Sequence, residues 1–181
     1  GSLTGALTVT TGDATDNTIA ITTGSAATSI AASGASDVVT VTATALADNT
    51  TLTLAGSAAQ TVTGLRGDLA AGGVSGALNV TTVAVASGLS IATGSGSNTI
   101  TASALTAGQT LTLTGSSAAT VTLNAGTLAA GSYAGNLTVT GGTGANKITG
   151  GNGTKPTTGG GGAEIVTGGT GSDNFNFAYD V

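Results

Sequence analysis

Apolar residues along this chain come in short bursts that alternate with threonine, as in Leu7-Thr8-Val9-Thr10, Thr51-Leu52-Thr53-Leu54, Thr120-Val121-Thr122 and Leu137-Thr138-Val139-Thr140. Alternation over four or five residues, bounded by small turn residues, is the pattern of a strand with one face buried. The bursts centre near Val9, Ile19, Ile30, Val41, Leu52, Val62, Val80, Ile91, Ile100, Leu111, Val121, Val139, Ile148, Val166 and Phe175, about ten residues apart. Helix fits poorly, because glycine recurs too often and β-branched residues fill the bursts.

The bursts repeat on a longer scale as well. A shift of 59 residues aligns residues 44–81 with 103–140 without a gap and gives 21 identities over 38 positions. A β-sandwich does not require neighbouring segments to resemble each other, so the repetition favours a solenoid. The expected fold is therefore all-β, a right-handed parallel β-helix or β-roll with roughly ten residues per strand-turn unit. Two strands per coil make the duplicated unit about three coils, the chain about nine coils, and the rod on the order of 40 Å long. Residues 65–75 and 124–134 break the rhythm once per long repeat, which predicts a wider loop or a single helical turn there. The terminal Gly1-Ser2 reads as a cloning scar and the strand pattern runs from Leu7 to Phe177, so a piece of a longer protein is expected.

Composition narrows the chemistry. The 181 residues include 38 Thr, 32 Ala and 32 Gly, with two Phe, two Tyr, one Pro and no Cys, His, Met or Trp. Thiol nucleophiles, imidazole bases, disulfides and the usual zinc sites are thereby excluded. With only Lys147 and Lys155 as amine bases, no hydrolase triad can be assembled. A carboxylate pair for sugar chemistry drawn from Asp13, Asp16, Asp37 or Asp48 lacks the aromatic and basic residues that line such clefts. A noncatalytic protein is expected. Three basic against eight acidic residues give a net charge of −5, which argues against a nucleic-acid partner. No run approaches the roughly 18 to 20 apolar residues that cross a bilayer, so no transmembrane insertion is expected.

From Gly141 the spacing tightens to nine. Four nonapeptides, 141–149, 150–158, 159–167 and 168–176, each begin Gly-Gly-x-Gly. The last, Gly168-Gly169-Thr170-Gly171-Ser172-Asp173-Asn174-Phe175-Asn176, fits the pattern G-G-x-G-x-D-x-U-x at every fixed position, and the segment resembles the RTX (repeats-in-toxin) family. The chain then divides into a Thr/Ala/Gly-rich solenoid, residues 1–140, and a glycine-rich β-roll, residues 141–181, that continues it.

The resemblance implies calcium as cofactor. Glycines Gly142, Gly144, Gly160, Gly162, Gly169 and Gly171 would turn backbone carbonyls toward the cation, and sixth-position side chains would add charge. Those sixth positions hold Asn146, Lys155, Glu164 and Asp173, and the eighth hold Ile148, Thr157, Val166 and Phe175. Successive nonapeptides alternate sides of a roll, so Asn146 is expected to stack with Glu164, and Lys155 with Asp173. The first pair can share a calcium ion; the second sets an ammonium where calcium would sit. One or two sites are expected rather than a full ladder, with Asn146, Glu164 and Asp173 as the side-chain ligands. Degenerate half-repeats carry Asn17, Asp37 and Asn98, where a plain turn preference explains the residue.

Together with the Thr/Ala/Gly-rich strands, the nonapeptides are similar to those of S-layer proteins and giant adhesins of Gram-negative bacteria. That likeness implies a protein secreted by a type I system to the bacterial cell surface, where it serves as a structural module. Its implied partners are neighbouring modules or lattice copies and cell-surface polysaccharide. The alternative is an adhesive, ligand-binding segment for a host or polysaccharide surface, or for ice. Two further features have bland explanations. Arg66-Gly67-Asp68 spells an integrin tripeptide, but the aligned repeat reads Ala125-Gly126-Thr127 and keeps only the glycine. The Thr-x-Thr pairs suggest an array like those of ice-binding solenoids, yet threonine is a default outward strand residue, and the uneven spacing near 69 and 128 argues against stacking on one face.

Overall fold

A computed structural model describes residues 5–11, 17–159 and 162–177. The chain winds into a parallel β-solenoid of two sheets, nine strands each. Odd-numbered strands form one sheet: β1 (Leu7–Thr11), β3 (Thr28–Ala32), β5 (Thr51–Gly56), β7 (Asp68–Val74), β9 (Leu89–Ala92), β11 (Thr110–Thr114), β13 (Gly126–Ala129), β15 (Asn146–Thr149) and β17 (Glu164–Thr167). Even-numbered strands form the other: β2 (Thr18–Thr22), β4 (Val38–Thr42), β6 (Ala59–Leu65), β8 (Leu78–Thr82), β10 (Asn98–Ala102), β12 (Ala119–Leu123), β14 (Leu137–Thr140), β16 (Lys155–Gly159) and β18 (Asp173–Phe177). Every burst centre named above lies in one of these strands.

Alternation sends one residue in two inward, and each sheet stacks its inward residues in columns. Val41, Val62, Val80, Ile100, Val121 and Val139 stand in line in the even sheet, with Leu89, Leu111, Leu128 and Ile148 in the odd sheet. All are buried and belong to one continuous core. Three coils carry the even sheet from Val62 through Val80 and Ile100 to Val121, which is the 59-residue offset of the duplication. The odd sheet departs from it. There Leu52 lines up with Leu69, Ile91 and Leu113, two residues beyond its repeat equivalent Leu111. A slip of two keeps every side chain on its own face, because the strand period is two. The slip enters after β7, since Leu52 pairs with Leu69 at the same offset as Leu111 with Leu128.

Residues 65–75 and 124–134 correct the expectation of a loop or helical turn. They carry β7 and β13, full members of the odd sheet. Their inward residues are Leu69, Ala71 and Leu128, all buried. Small residues suffice here because the coils above and below complete the ladder, so tertiary pairing overrides the weak β-propensity of Ala and Gly.

The Arg66-Gly67-Asp68 tripeptide sits in the tight corner between β6 and β7. Arg66 pairs with Asp48 at 3.1 Å, and the Asp68 carboxylate accepts the Ser90 backbone N–H at 2.8 Å. A side chain at Gly67 would strike the Thr50 carbonyl. These three residues staple neighbouring coils.

The even sheet also overturns the argument against a stacked threonine array. Its outward residues line up as Thr40, Thr61, Asn79, Thr99, Thr120 and Thr138 in one column. Thr81, Thr101, Thr122, Thr140 and Thr158 form a second. The spacing is uneven near 69 and 128 because the intervening strands β7 and β13 belong to the opposite sheet.

Candidate functional site

The nonapeptide frame maps directly onto the coils. Strands β15, β16, β17 and β18 each begin at a sixth position: Asn146, Lys155, Glu164 and Asp173. Register pairs Asn146 with Glu164 in the odd sheet and Lys155 with Asp173 in the even sheet, the two stacks expected from the alternation of sides. Eighth positions face inward. Ile148 and Thr157 are buried and Val166 is packed against the core, while Phe175 stays 39% exposed on the last strand.

Among the described glycines, positive φ occurs at Gly56, Gly64, Gly108, Gly115 and Gly126, all upstream of the nonapeptides. The tail glycines are required by close approach between coils. A Cβ on Gly162 would strike the Gly144 carbonyl; one on Gly171 would strike that of Gly153, whose own Cβ would strike that of Gly135. Gly144 lies against Ala125 and Gly142 against the Asn124 backbone. Gly169 is exposed, and Gly160 lies outside the described residues.

At the corner, Asn146 is buried and its side-chain amide nitrogen donates to the Gly144 carbonyl at 2.8 Å. The Asn124 carbonyl of the preceding coil lies 3.5 Å from the same nitrogen. Asn98, in the degenerate half-repeat upstream, does the same: its amide nitrogen reaches the Gly96 carbonyl at 2.8 Å, Ala118 at 3.2 Å and Gly94 at 3.4 Å. Buried Gln60 donates to the Ala55 carbonyl at 3.0 Å. At these corners the chain meets converging carbonyls with its own N–H groups, which satisfies buried acceptors that would otherwise be costly.

Carboxylates take the other role. Asp37 is buried and accepts the Asn17 backbone N–H at 3.0 Å, with its second oxygen enclosed and unpaired. Its carboxylate lies over Gly34, as that of Asp173 lies over Gly168, so that a side chain at either glycine would collide with it. Asp37 sits in the turn that the sequence predicts, its backbone N–H donating to the Gly34 carbonyl at 3.1 Å.

Calcium takes six to eight oxygens, and carbonyls count among them. The nonapeptide turns supply carbonyls plus at most one carboxylate each, so a site here needs two coils. Among the described residues no cluster of three Asp, Glu, His or Cys side chains forms. In the tail, the Asp173 carboxylate lies over Gly168, and Asn146 pairs in register with Glu164 on the next coil.

Tyr133 closes another corner. It is buried, its hydroxyl donates to the Ser117 carbonyl at 2.7 Å and lies 3.2 Å from the Thr93 hydroxyl. Burial pushes its phenol above the ordinary value of 10.0, against a smaller lowering by the Thr93 hydrogen bond.

Comparison with protein-family models, with curated proteins and with solved structures returns no match.

Proposed function

We propose that this chain is a noncatalytic structural module of a secreted bacterial surface protein, of the S-layer or surface-array type. Calcium at the glycine-rich corners stiffens it, and it assembles with neighbouring modules end to end. The observation that carries this reading is the parallel ladder of both sheets running on through the four Gly-Gly-x-Gly nonapeptides, whose sixth positions pair in register as Asn146 with Glu164 and Lys155 with Asp173.

The nonapeptide resemblance supplies the calcium and the extracellular setting, where calcium is millimolar. The test is circular-dichroism melting and light scattering of the 181-residue chain in chelator and in millimolar calcium, with Glu164→Ala alongside. The expected result is a calcium-dependent rise in melting temperature and particle size, much of it lost in the variant. Identical melts and a constant monomer under all conditions would reject both calcium and assembly.

A further inference from the structure

The outer face of the even sheet carries a pattern that the structural role leaves unused. From β4 to β14, successive strands present Thr40/Thr42, Thr61/Thr63, Asn79/Thr81, Thr99/Thr101, Thr120/Thr122 and Thr138/Thr140 outward. Register stacks them coil on coil, interrupted only by an irregularity between Val62 and Leu65 where β6 meets β8. Neighbouring strands lie about 4.8 Å apart and alternate residues of one strand about 6.7 Å apart, so hydroxyls and methyls repeat on a two-dimensional grid. Threonine is stiff at χ1, which limits the poses open to each hydroxyl.

None of these twelve positions carries a charge or an aromatic ring, although the chain as a whole has a net charge of −5. A hollow of about 210 Å³ runs along this face between Ser97, Ala118 and Asn136 on one side and Thr99, Thr120 and Thr138 on the other. The fold does not impose such a grid. Over the same coils the outer face of the odd sheet holds Thr53, Ala70, Ala92 and Thr114 in one column and Ser90, Thr112 and Ala129 in another, with Lys147 and Ile165 following on the later strands β15 and β17.

We propose that the even-sheet face binds ice. A surface that is regular in two directions, neutral, and built of paired hydroxyl and methyl groups matches a partner that is itself a neutral lattice. A polysaccharide would call for aromatic platforms, which this face lacks. The inference rests on sheet register and is independent of the calcium reading.

Ice-affinity partition and recrystallisation inhibition test it, run on the 181-residue chain in both chelator and calcium. Wild type is expected to enter the ice fraction, and Thr120→Leu, at the centre of the grid, to lower partition about tenfold, the loss typical of a central interface position. Thr112→Leu, outward on the odd sheet, is expected to leave it unchanged. Thr120→Val keeps the shape and β-branching, and its partition reads the hydroxyl alone if the leucine variant fails to fold. Wild type that stays in the liquid, or equal losses in the Thr112 and Thr120 variants, would overturn the proposal. So would retention on cellulose or chitin that depends on Thr120 without partition into ice, which assigns the face to a polysaccharide.

Discussion

The two sheets of this solenoid share one core and differ on the outside. Inside, Val, Ile and Leu from both sheets meet in a single apolar cluster, with buried Gln60 and Asn98 interrupting one inward column of the even sheet. Outside, the even sheet repeats threonine through coil after coil, while the odd sheet mixes Ser, Thr, Ala, Lys and Ile and slips two residues against the 59-residue duplication. Folding alone constrains the inward residues, since only they are removed from water. The odd sheet shows how far an outer face drifts under that constraint. Regularity on the even face therefore exceeds what folding asks of it.

The strongest test breaks what the sheets share. Val121 is fully buried in the even column between Ile100 and Val139. Val121→Asp places a carboxylate there without a partner, at an expected cost above about 4 kcal/mol. Because one core serves both sheets, the whole strand signal should melt together in circular dichroism. A variant that lost only part of its β signal, with the remainder melting normally, would show that the sheets are stabilised separately.

Corners join the sheets, and glycine substitutions sharpen that part of the comparison. Gly153→Ala drives a methyl into the Gly135 carbonyl, whereas nothing lies within 4 Å of a Cβ at Gly131. The first should cost about 1 to 3 kcal/mol, as overpacking does, and the second should be neutral or slightly stabilising. Chemical denaturation of the two variants checks the difference. Equal stabilities would mean that the close passage of coil over coil does not require glycine at position 153.

A smaller effect is expected at Tyr133, whose hydroxyl ties the turn after β13 to Thr93 and Ser117 on neighbouring coils. Tyr133→Phe should cost about 1 kcal/mol near neutral pH through the lost hydrogen bonds. The pH dependence follows from burial. A folded-state pKa above the ordinary 10.0 means that the neutral phenol's contribution is complete below pH 10 and fades as pH climbs through the raised value. Wild type should therefore lose stability in strong alkali more steeply than the phenylalanine variant. Parallel alkaline curves would show that Tyr133 ionises without cost and lies open to water.

Much of this was legible in the chain itself. Every burst centre from Val9 to Phe175 falls in a strand, since β-branched residues alternating with threonine leave little choice. Two strands were not legible. β7 (Asp-Leu-Ala-Ala-Gly-Gly-Val) and β13 (Gly-Thr-Leu-Ala) carry residues of low β-propensity and are held by the coils on either side, while β16 (Lys-Pro-Thr-Thr-Gly) was reached through the nonapeptide frame alone. Missing β7 and β13 made the spacing look irregular, and that hid the threonine grid. At the tail, the nonapeptide frame located the sixth-position stacks correctly. Spacing does not show which way an amide faces, so the Asn146 and Asn98 nitrogens aimed at turn carbonyls were out of its reach. The same holds for the glycines, whose close contacts are made with residues about 18 positions earlier in the chain.

The smallest effect decides most about the even face. Thr101 and Thr112 both point outward from the middle of their sheets, one within the grid and one outside it. Replacing either with alanine removes a β-branched residue from a strand surface, and each should cost under about 1 kcal/mol. The two costs should agree within about 0.5 kcal/mol, the usual spread for surface sites. Denaturant midpoints measured at equal slope give the comparison directly. Suppose instead that Thr101→Ala costs over about 1 kcal/mol more than Thr112→Ala. The threonine columns would then be stabilising one another across coils, and folding would account for their regularity without any partner. Equal costs leave the grid with no role in stability, which is the outcome that the proposal of an ice-binding face requires.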